Sequence, residues 1–348
     1  MKEFLKISKY AGMREDLVQA GGGNSSVKIS TEKMLIKASG YQLADVTETE
    51  GYAVINPSII TEFFANISMD YQVTKEEENK LLKQSYLKGK RPSIETFLHC
   101  ITTGRVTLHT HAVLVTSLTS RKDGMKILQR FFPEALMVPY ATPGIQLAVS
   151  CFQAYQRSGR KTAELIFLQN HGFVVSGNTA LEVIERTESV LQIIAGILSF
   201  DYRIYADSTI LYQAVVDCGL EENLVYQVQN RKVEKAYQLL GENIWELTIC
   251  PDSVVYCGRK ILQVEEGIEK ESIQQFQKQY GIPCILLYRS QFYILAPSIK
   301  KAKEIESILA FSAEVAIANQ GKEIFYLTEQ EQGFLLDWDA EIYRKNIK

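Results

Sequence analysis

Strand-like and helix-like segments alternate through about the first 200 residues, and this alternation restricts the fold more than any other feature of the chain. The segments "MLIKASG" (34–40) and "YAVINP" (52–57) are short apolar runs closed by glycine or proline, as strands often are. "LIFLQNHGFVVSG" (165–177) indicates two strands around a tight turn, and "TALEVIERTESVLQIIAGIL" (179–198) indicates a long amphipathic helix. The pattern predicts a mixed α/β domain over residues 1–212.

Between these segments lies "RPSIETFLHCI" (91–101), which has the features of a helix start. Pro92 and Ser93 are residue types favoured at the first positions of helices, and apolar residues follow them at helical spacing. We therefore predict a helix that begins at these two residues and leads into the β-rich segment "VTLHTHAVLVTSL" (106–118).

The remainder of the chain, residues 213–348, predicts a smaller α+β domain. Residues 166–191 and 285–310 share an order of strand, tight turn, strand and long helix, and the second segment has Ser290 where the first has His171. Two interpretations stay open. The unit is common enough for the match to be accidental, or the second domain is a degenerate repeat that kept the scaffold and lost the chemistry.

Composition excludes several classes of function. The formal net charge of -3 and the isoelectric point near 6.0 give no basic surface for nucleic acid or for an anionic membrane. No apolar run approaches the length of about 18 residues that a transmembrane helix needs, and the N-terminus lacks the apolar core of a signal peptide. We expect a cytoplasmic protein with a small-molecule partner.

The chain has four histidines, and two of them, His109 and His111, lie two residues apart in a predicted strand. Side chains at this spacing leave a strand on the same face, so the two imidazoles can share one metal ion. His171, at the turn of the predicted hairpin, is a third candidate ligand, and Glu95 offers a carboxylate. Three imidazoles with one further position are typical of a catalytic zinc. For His99 we favour the alternative of a hydrogen-bonded histidine outside the metal site.

The glycine-rich segment "QAGGGNSSVKIS" (19–30) is a candidate anion site. Its backbone can bring N–H groups to a bound oxyanion, and Asn24 adds a side-chain donor. The alternative is a glycine-rich hairpin that binds nothing. The loop "KASG" (37–40) offers Ser39 and the Gly40 amide to the same anion.

Six motifs in order, "GGGNSSVK", "LIKASG", "RPSIETFLH", "TLHTHA", "VPYATPG" and "LQNHGFVVSG", resemble the class II aldolase/adducin family over residues 12–200. The resemblance implies a three-layer α/β/α fold with a mostly antiparallel central sheet. It also implies one Zn²⁺ per chain, held by three histidines and a glutamate that is a ligand or an acid/base group, and a phosphate site. The implied metal residues are His109, His111, His171 and Glu95. The implied phosphate residues are Gly23, Asn24, Ser39, Gly40 and Ser93.

Within the family, "K-x-S-G" and "P-S-I-E-T" resemble the aldolase part of bifunctional rhamnulose-phosphate aldolase/alcohol dehydrogenase proteins. "CPDSVVYCG" and "LTEQEQGFLLDWDAEIYRK" resemble the segment that follows this part. No dinucleotide-binding fingerprint occurs, so redox chemistry is not predicted. Where fuculose phosphate aldolases place a proton-transfer tyrosine, this chain reads "KILQRFFPEAL" (126–136).

The resemblance implies a zinc-dependent aldolase that acts on a sugar phosphate or related ketose through a metal-stabilised enediolate. Because the tyrosine is missing, 4-epimerisation, dehydration and decarboxylation remain open, and so does a non-catalytic, adducin-like binding protein. The family also implies a homotetramer.

Overall fold

The structure is a computed structural model that describes residues 1–68, 71–159, 163–241, 246 and 248–337. The chain divides into two compact units, Met1–Ala206 and Asp207–Lys348. This division and the predicted one at residue 212 both fall within one helix, Arg203–Asp217. No helix among the described residues combines the length and the apolar character needed to cross a bilayer.

The first unit contains eight strands and the helices that connect them. The strands are β1 (Asn24–Ser30), β2 (Lys33–Lys37), β3 (Tyr52–Ile55), β4 (Tyr86–Gly89), β5 (Val106–Thr110), β6 (Leu136–Val138), β7 (Leu165–Leu168) and β8 (Gly172–Gly177). The helices are α1 (Lys2–Gly12), α2 (Pro57–Asn66), α3 (Lys75–Ser85), α4 (Thr96–Ile101), α5 (Val113–Thr119), α6 (Gly124–Phe131), α7 (Ile145–Ser158) and α8 (Ala180–Leu198), followed by α9 (Arg203–Asp217).

The eight strands form one sheet in the order β4-β3-β2-β1-β5-β8-β7-β6. Every neighbouring pair is antiparallel except β6 and β7, which are parallel. The predicted mostly antiparallel central sheet is therefore confirmed. The chain's metal-site candidates lie at the centre of this sheet, where β5 is flanked by β1 and β8.

Helices pack on both faces of the sheet, because alternate strand residues are apolar on each side. Met34 and Ile36 belong to a core cluster with residues of α2, α4 and α7, such as Phe64 and Phe97. No member of that cluster comes from α1 or α8, which contact each other and the strands β1, β5 and β8. This arrangement confirms the predicted three-layer α/β/α fold.

The helix that was predicted to begin at Pro92 and Ser93 begins instead at Thr96, so that prediction was wrong by one turn. Pro92 forms an isolated antiparallel bridge with Ala38, which keeps the chain extended there. Ser93 then closes a turn, accepting a hydrogen bond from the Thr96 amide at its carbonyl (3.1 Å). Glu95 consequently stands at the N-cap position of α4 rather than inside the helix.

The second unit has its own sheet of four strands in the order β10-β11-β12-β9. Its strands are β9 (Leu224–Gln227), β10 (Leu262–Gln263), β11 (Ile285–Tyr288) and β12 (Gln291–Ala296). Its helices are α10 (Arg231–Leu240), α11 (Pro251–Cys257), α12 (Glu269–Tyr280), α13 (Ile299–Ala318) and α14 (Glu329–Asp337). The part of the C-terminal motif "LTEQEQGFLLDWDAEIYRK" beyond residue 337 lies outside the described residues.

The four-stranded sheet has the same strand arrangement as one half of the larger sheet. The order β9-β12-β11-β10 in the second unit corresponds to the order β5-β8-β7-β6 in the first. In both sets, the first two pairs of neighbouring strands are antiparallel and the last pair is parallel. In both sets a hairpin is followed along the chain by a long helix. The helix is α8 with N-cap Thr179 in the first unit and α13 with N-cap Ser298 in the second.

Candidate metal centre

Three imidazoles and one carboxylate meet at the centre of the eight-stranded sheet. Glu95, His109, His111 and His171 each offer one ligand atom, and these four atoms lie within 4.8 Å of one another. The three imidazole ring centroids are 4.8 to 5.0 Å apart. The sequence interpretation had proposed these four residues, and the fold brings all of them together.

Strand geometry and one glycine bring the histidines together. His109 lies in β5 opposite Val174 of β8, and His111 follows the end of β5 on the same side. His171 ends the turn between β7 and β8. A Cβ atom on the next residue, Gly172, would lie 2.1 Å from the Thr110 carbonyl oxygen. Only glycine therefore allows the turn to approach β5 closely enough for His171 to join the pair.

A backbone hydrogen bond orients the His109 ring. Its Nδ1–H donates to the Phe173 carbonyl at 3.0 Å, because a carbonyl oxygen can only accept. The other ring nitrogen, Nε2, is thereby directed at the cluster, 3.2 Å from His111 Nε2 and 3.4 Å from the Glu95 carboxylate. Such an outer hydrogen bond is the usual means of setting the tautomer of a metal-binding histidine.

Glu95 is buried and lies 3.4 Å from both His109 Nε2 and His171 Nε2. Burial favours the neutral acid, but the two imidazoles outweigh it and hold the pKa of Glu95 well below its usual range. Burial also opposes a charge on His109, yet the Glu95 carboxylate raises the pKa of that imidazole. Each group therefore favours the charged form of the other, a carboxylate on Glu95 and an imidazolium on His109. Burial, together with repulsion from His109 and His171, lowers the pKa of His111 to about 4.

The donor set suits a divalent cation such as zinc. Ligand atoms at the usual zinc distances of about 2.0 to 2.1 Å are about 3.3 to 3.4 Å apart in a tetrahedron. Three of the six separations between donor atoms are close to this value, 3.2 Å for His109 with His111 and 3.4 Å for Glu95 with each of His109 and His171, and all six lie within 4.8 Å. Three imidazoles and one carboxylate also match the ligand preference of zinc.

Asn24 places an unused donor on the same face as the histidines. It is the cross-strand partner of His109 in the β1–β5 pair, so the two side chains share a face of the sheet. Its Oδ1 accepts a hydrogen bond from the Ser25 amide at 3.0 Å, whereas its buried Nδ2 has no partner among the described residues. A buried amide without a partner is costly unless a ligand satisfies it. The preceding residue, Gly23, has a φ of 73°, which favours glycine.

Lys37, which the sequence interpretation did not assign to the site, joins the two candidate anion loops. Its buried ammonium donates to the Tyr41 carbonyl at 2.7 Å and to the Gly21 carbonyl at 3.3 Å. Burial lowers the pKa of Lys37, and the Glu95 carboxylate partly opposes that effect. A lysine that ends an apolar strand in "LIKASG" was the available sign that its charge is used.

The remaining predicted residues have different environments. Ser93 is buried, and its Oγ accepts a hydrogen bond from the Glu95 amide at 3.3 Å. Ser39 and Gly40 are exposed after β2, and the Ser39 amide bonds to the Arg91 carbonyl at 2.9 Å, next to the segment that carries Ser93.

His99 lies outside the cluster of four candidate ligands. Its Nδ1 is 2.8 Å from the Ser26 hydroxyl. Burial, with repulsion from His109, lowers the pKa of His99 to about 3, so the ring is neutral. These contacts agree with the interpretation of His99 as a hydrogen-bonded histidine outside the metal site.

A buried ionic network that sequence reasoning missed supports the segment after the histidines. The Arg14 guanidinium is bidentate to Asp16 (2.6 and 2.7 Å) and also donates to Glu188 (2.9 Å) and Tyr202 (2.7 Å). The Asp16 carbonyl accepts the Val113 amide at 2.8 Å, at the first residue of α5. The network thus fixes the position of Val113, which lies two residues after His111. Arg14 and Glu188 are 174 residues apart, so no local pattern connects them.

The fold is that of an α/β protein of the aldolase type, and its site offers four residues that could hold a metal ion. The family described as "Class II Aldolase and Adducin N-terminal domain" matches residues 2–195, which is more than half of the chain. The chain belongs to this family, as the six motifs indicated.

Several known proteins are similar to this chain. The uncharacterized oxidoreductase YuxG of Bacillus subtilis (strain 168) is 28% identical over 204 residues, which make up 55% of this chain and only 28% of that protein. The N-terminal class II aldolase domain of a conserved protein from Thermoplasma acidophilum is 25% identical, with a TM-score of 0.49, over 56% of this chain and 92% of that one. The L-fuculose-1-phosphate aldolase of Thermus thermophilus is 18% identical, with a TM-score of 0.36, over 57% and 93%. The link to bifunctional aldolase/dehydrogenase proteins stays a prediction.

Proposed function

We propose that the protein is a zinc-dependent lyase that cleaves a carbon–carbon bond in a sugar phosphate or a related ketose. The observation that carries this proposal is the set of four donor atoms within 4.8 Å of one another. His109, His111 and His171 would hold the ion together with Glu95. A bound zinc ion supplies positive charge that polarises carbonyl and hydroxyl oxygens of a substrate.

The chain's own residues have three tasks in this proposal. Glu95 moves the proton: the neighbouring imidazoles hold its pKa well below the usual range, so it is ionised, and this carboxylate would accept a proton from a substrate hydroxyl when the carbon–carbon bond breaks. The Asn24 amide donates its unused N–H to an anionic oxygen of the substrate. Lys37 holds the Gly21 and Tyr41 loops together and adds positive charge beside that oxygen.

The phosphate-binding role of Gly23, Asn24, Ser39, Gly40 and Ser93 also belongs to the proposal. It is supported by the bond from Ser39 to Arg91, which brings the loop after β2 beside the Ser93 segment, and by the clip that Lys37 forms between the loops. Electrostatic donors held in place before the substrate binds are effective because they need no rearrangement during the reaction.

The test is a panel of ketose phosphates and free ketoses incubated with the zinc-loaded protein, followed by analysis of the products. Cleavage releases an aldehyde together with dihydroxyacetone phosphate or dihydroxyacetone. A 4-epimerase, which uses the same charge stabilisation for cleavage and re-addition, gives a second sugar of the same mass. A fully zinc-loaded protein that changes no member of the panel would contradict the lyase and favour the non-catalytic, adducin-like alternative.

The expected homotetramer and the cytoplasmic location rest on the family resemblance and on composition, so they are proposals as well. Light scattering coupled to size-exclusion chromatography measures the mass in solution. A mass close to four times 39.4 kDa is expected, and a monomer would contradict the tetramer.

A further inference from the structure

A second cavity lies at the opposite end of α4 from the metal centre. Its volume is about 910 Å³, and it opens between the end of β1, the helix α2, the C-terminal end of α4 and the helix α7. Glu95 stands at the N-cap of α4, whereas the cavity is lined by Ile101 and Thr102 at the other end of that helix. None of the four candidate metal ligands lines it. A function for this cavity is therefore separate from the proposed lyase chemistry.

The walls of the cavity are apolar and belong to the core. Phe64 and Tyr155 are buried, and Phe64 packs against Phe152 with ring centroids 5.7 Å apart. Ile101 and Phe152 are partly buried against the same core cluster. Because packed core side chains form these walls, the space exists without any rearrangement. Ligand sites of about 300 to 1,000 Å³ are typically apolar, with a few polar groups that fix the orientation of the ligand.

One polar group of this kind is the ammonium of Lys28, which lines the cavity. It donates to the carbonyl of Thr102 and lies 3.5 Å from the Thr102 hydroxyl, which are both neutral groups. In the described parts of the chain it forms no ion pair with a carboxylate, and Glu62, the acidic residue that also lines the cavity, is exposed.

Electrostatics agree with an uncompensated charge at this position. Burial lowers the pKa of Lys28 to about 8, because no carboxylate of the described residues balances the desolvated ammonium. Burial raises the pKa of the neighbouring Cys100 thiol to about 12, so the thiol is uncharged and does not balance the ammonium. Capping of the C-terminus of α4 explains the bond to Thr102. This capping bond does not explain why the ammonium of Lys28 also lines an open apolar cavity.

We propose that this cavity binds an amphiphilic organic monoanion, namely a carboxylate with a linear apolar body. The carboxylate pairs with Lys28, and the apolar body lies against Phe64, Ile101 and Phe152. The ammonium favours an anionic ligand: a neutral apolar molecule leaves it without a counter-ion, and a second copy of the chain offers no reason for a half-buried cation at this position.

The test compares octanoate with 1-octanol, which has the same chain length and no charge, by isothermal titration calorimetry on the full-length, zinc-loaded protein. One octanoate per chain is expected, bound about tenfold or more tightly than 1-octanol, since a charge-assisted hydrogen bond contributes that much. Lys28→Met removes the preference for octanoate and leaves 1-octanol binding unchanged. Lys33→Met, a change of the same charge at an exposed residue of β2, leaves the preference intact.

A second variant keeps the proposal open to refutation if Lys28→Met is unstable. Ala65 is exposed on α2 and lines the cavity, so Ala65→Trp fills the space without disturbing the core. It is expected to abolish binding of both molecules. Equal affinity of the wild type for octanoate and 1-octanol, or octanoate binding that survives both substitutions, overturns the proposal. If octanoate does not bind, the proposal is wrong. If Ala65→Trp then also changes the mass in solution, the cavity is a contact between copies of the chain.

Discussion

At the scale of single residues, a proton and a metal ion compete for the Nε2 atom of His109. Its Nδ1–H is committed to the Phe173 carbonyl, so Nε2 is the nitrogen available to the ion. Burial opposes protonation, but Glu95 raises the pKa of His109, and the proton on Nε2 competes with the metal. His111, with a pKa of about 4, is already neutral at physiological pH.

A pH dependence of metal binding follows from this competition. A raised pKa keeps His109 protonated to a higher pH than a free histidine, so metal affinity falls as the pH drops through that value. Metal binding is therefore expected to release protons, and to release more of them at lower pH. Calorimetric titration of zinc in buffers with different heats of ionisation measures the number of protons released. Affinity that does not change between about pH 6 and 8 would contradict the assignment of His109 as a ligand.

Two substitutions separate metal binding from proton transfer. His109→Ala is expected to lose zinc and turnover together, because only two of the three imidazoles remain to hold the ion. Glu95→Gln keeps the shape of the side chain but not its charge, so it is expected to bind zinc and to turn over about a hundredfold or more slowly. Zinc content by plasma emission and kcat on the best substrate of the panel are the two measurements.

The control for both variants is Glu62→Gln, which removes a charge from an exposed residue outside the metal centre. It should change neither zinc content nor kcat. A His109→Ala protein with full zinc content and full activity would remove the assigned site. Unchanged kinetics in Glu95→Gln would remove Glu95 from the mechanism.

At the scale of elements, the hairpin β7–β8 brings His171 to the other ligands, and Gly172 is the residue that lets it approach. Gly172→Ala would place a methyl group 2.1 Å from the Thr110 carbonyl oxygen, so the turn must move. We expect zinc affinity to fall by about tenfold or more although all four ligands are still present, since a small misplacement of a ligand is costly. Gly196→Ala, in an open position on α8, is the matched control and should leave affinity unchanged. Equal zinc affinities for both variants would show that the close approach is unimportant.

The buried network of Arg14 is the other element-scale feature with a measurable role. Arg14→Met leaves the buried Asp16 without its bidentate partner, so the free energy of unfolding should fall by about 3 to 5 kcal/mol. Urea unfolding followed by circular dichroism measures this loss. Arg203→Met removes an exposed arginine that pairs with Asp201, and an exposed pair contributes at most about 1 kcal/mol. Similar losses in the two variants would mean that burial of the Arg14 pair adds nothing.

Sequence patterns predicted the elements better than their ends. Short apolar runs closed by glycine or proline marked β2 and β3, and two strand-like runs around a tight turn marked the hairpin β7–β8. Helical periodicity marked α8 close to its observed bounds. The start of α4 was misplaced because Pro92 and Ser93 suit a helix start locally, whereas the bridge between Ala38 and Pro92 forms only when β2 is in place. Tertiary pairing outweighed the local preference at that point.

At the scale of the whole molecule, the matching sheet orders support the proposal that the second unit is a degenerate repeat of the β5–α8 half of the first. Gln227 pairs with Tyr293 as His109 pairs with Val174. With Phe292 matched to Phe173, Gln227 takes the position of His109, and Gln229 that of His111. Glutamine amides are poor ligands for zinc, so the described part of the second unit has no counterpart of these two histidine ligands.

One zinc ion per chain is the expected stoichiometry. In a protein with both His109→Ala and His111→Ala, no tightly bound zinc should remain, because the described part of the second unit offers no equivalent site. Metal analysis after dialysis against a weak chelator measures both values. Two ions per wild-type chain, or one ion in the double variant, would show that the second unit binds metal.

By itself the sequence determined which residue types could bind a metal and which two of them share a strand face, because the period of a β-strand is a local property of the backbone. It also offered His171 and Glu95 as further candidates, and the family resemblance implied that both belong to the metal site. Only the tertiary structure decided that Lys37 connects the two loops by hydrogen bonds and that Arg14 contacts Glu188. It also decided that an apolar cavity bordered by the Lys28 ammonium opens at the far end of α4. The reason is physical: these contacts join residues that meet only after the strands take their order in the sheet, and neither propensity nor spacing encodes that order.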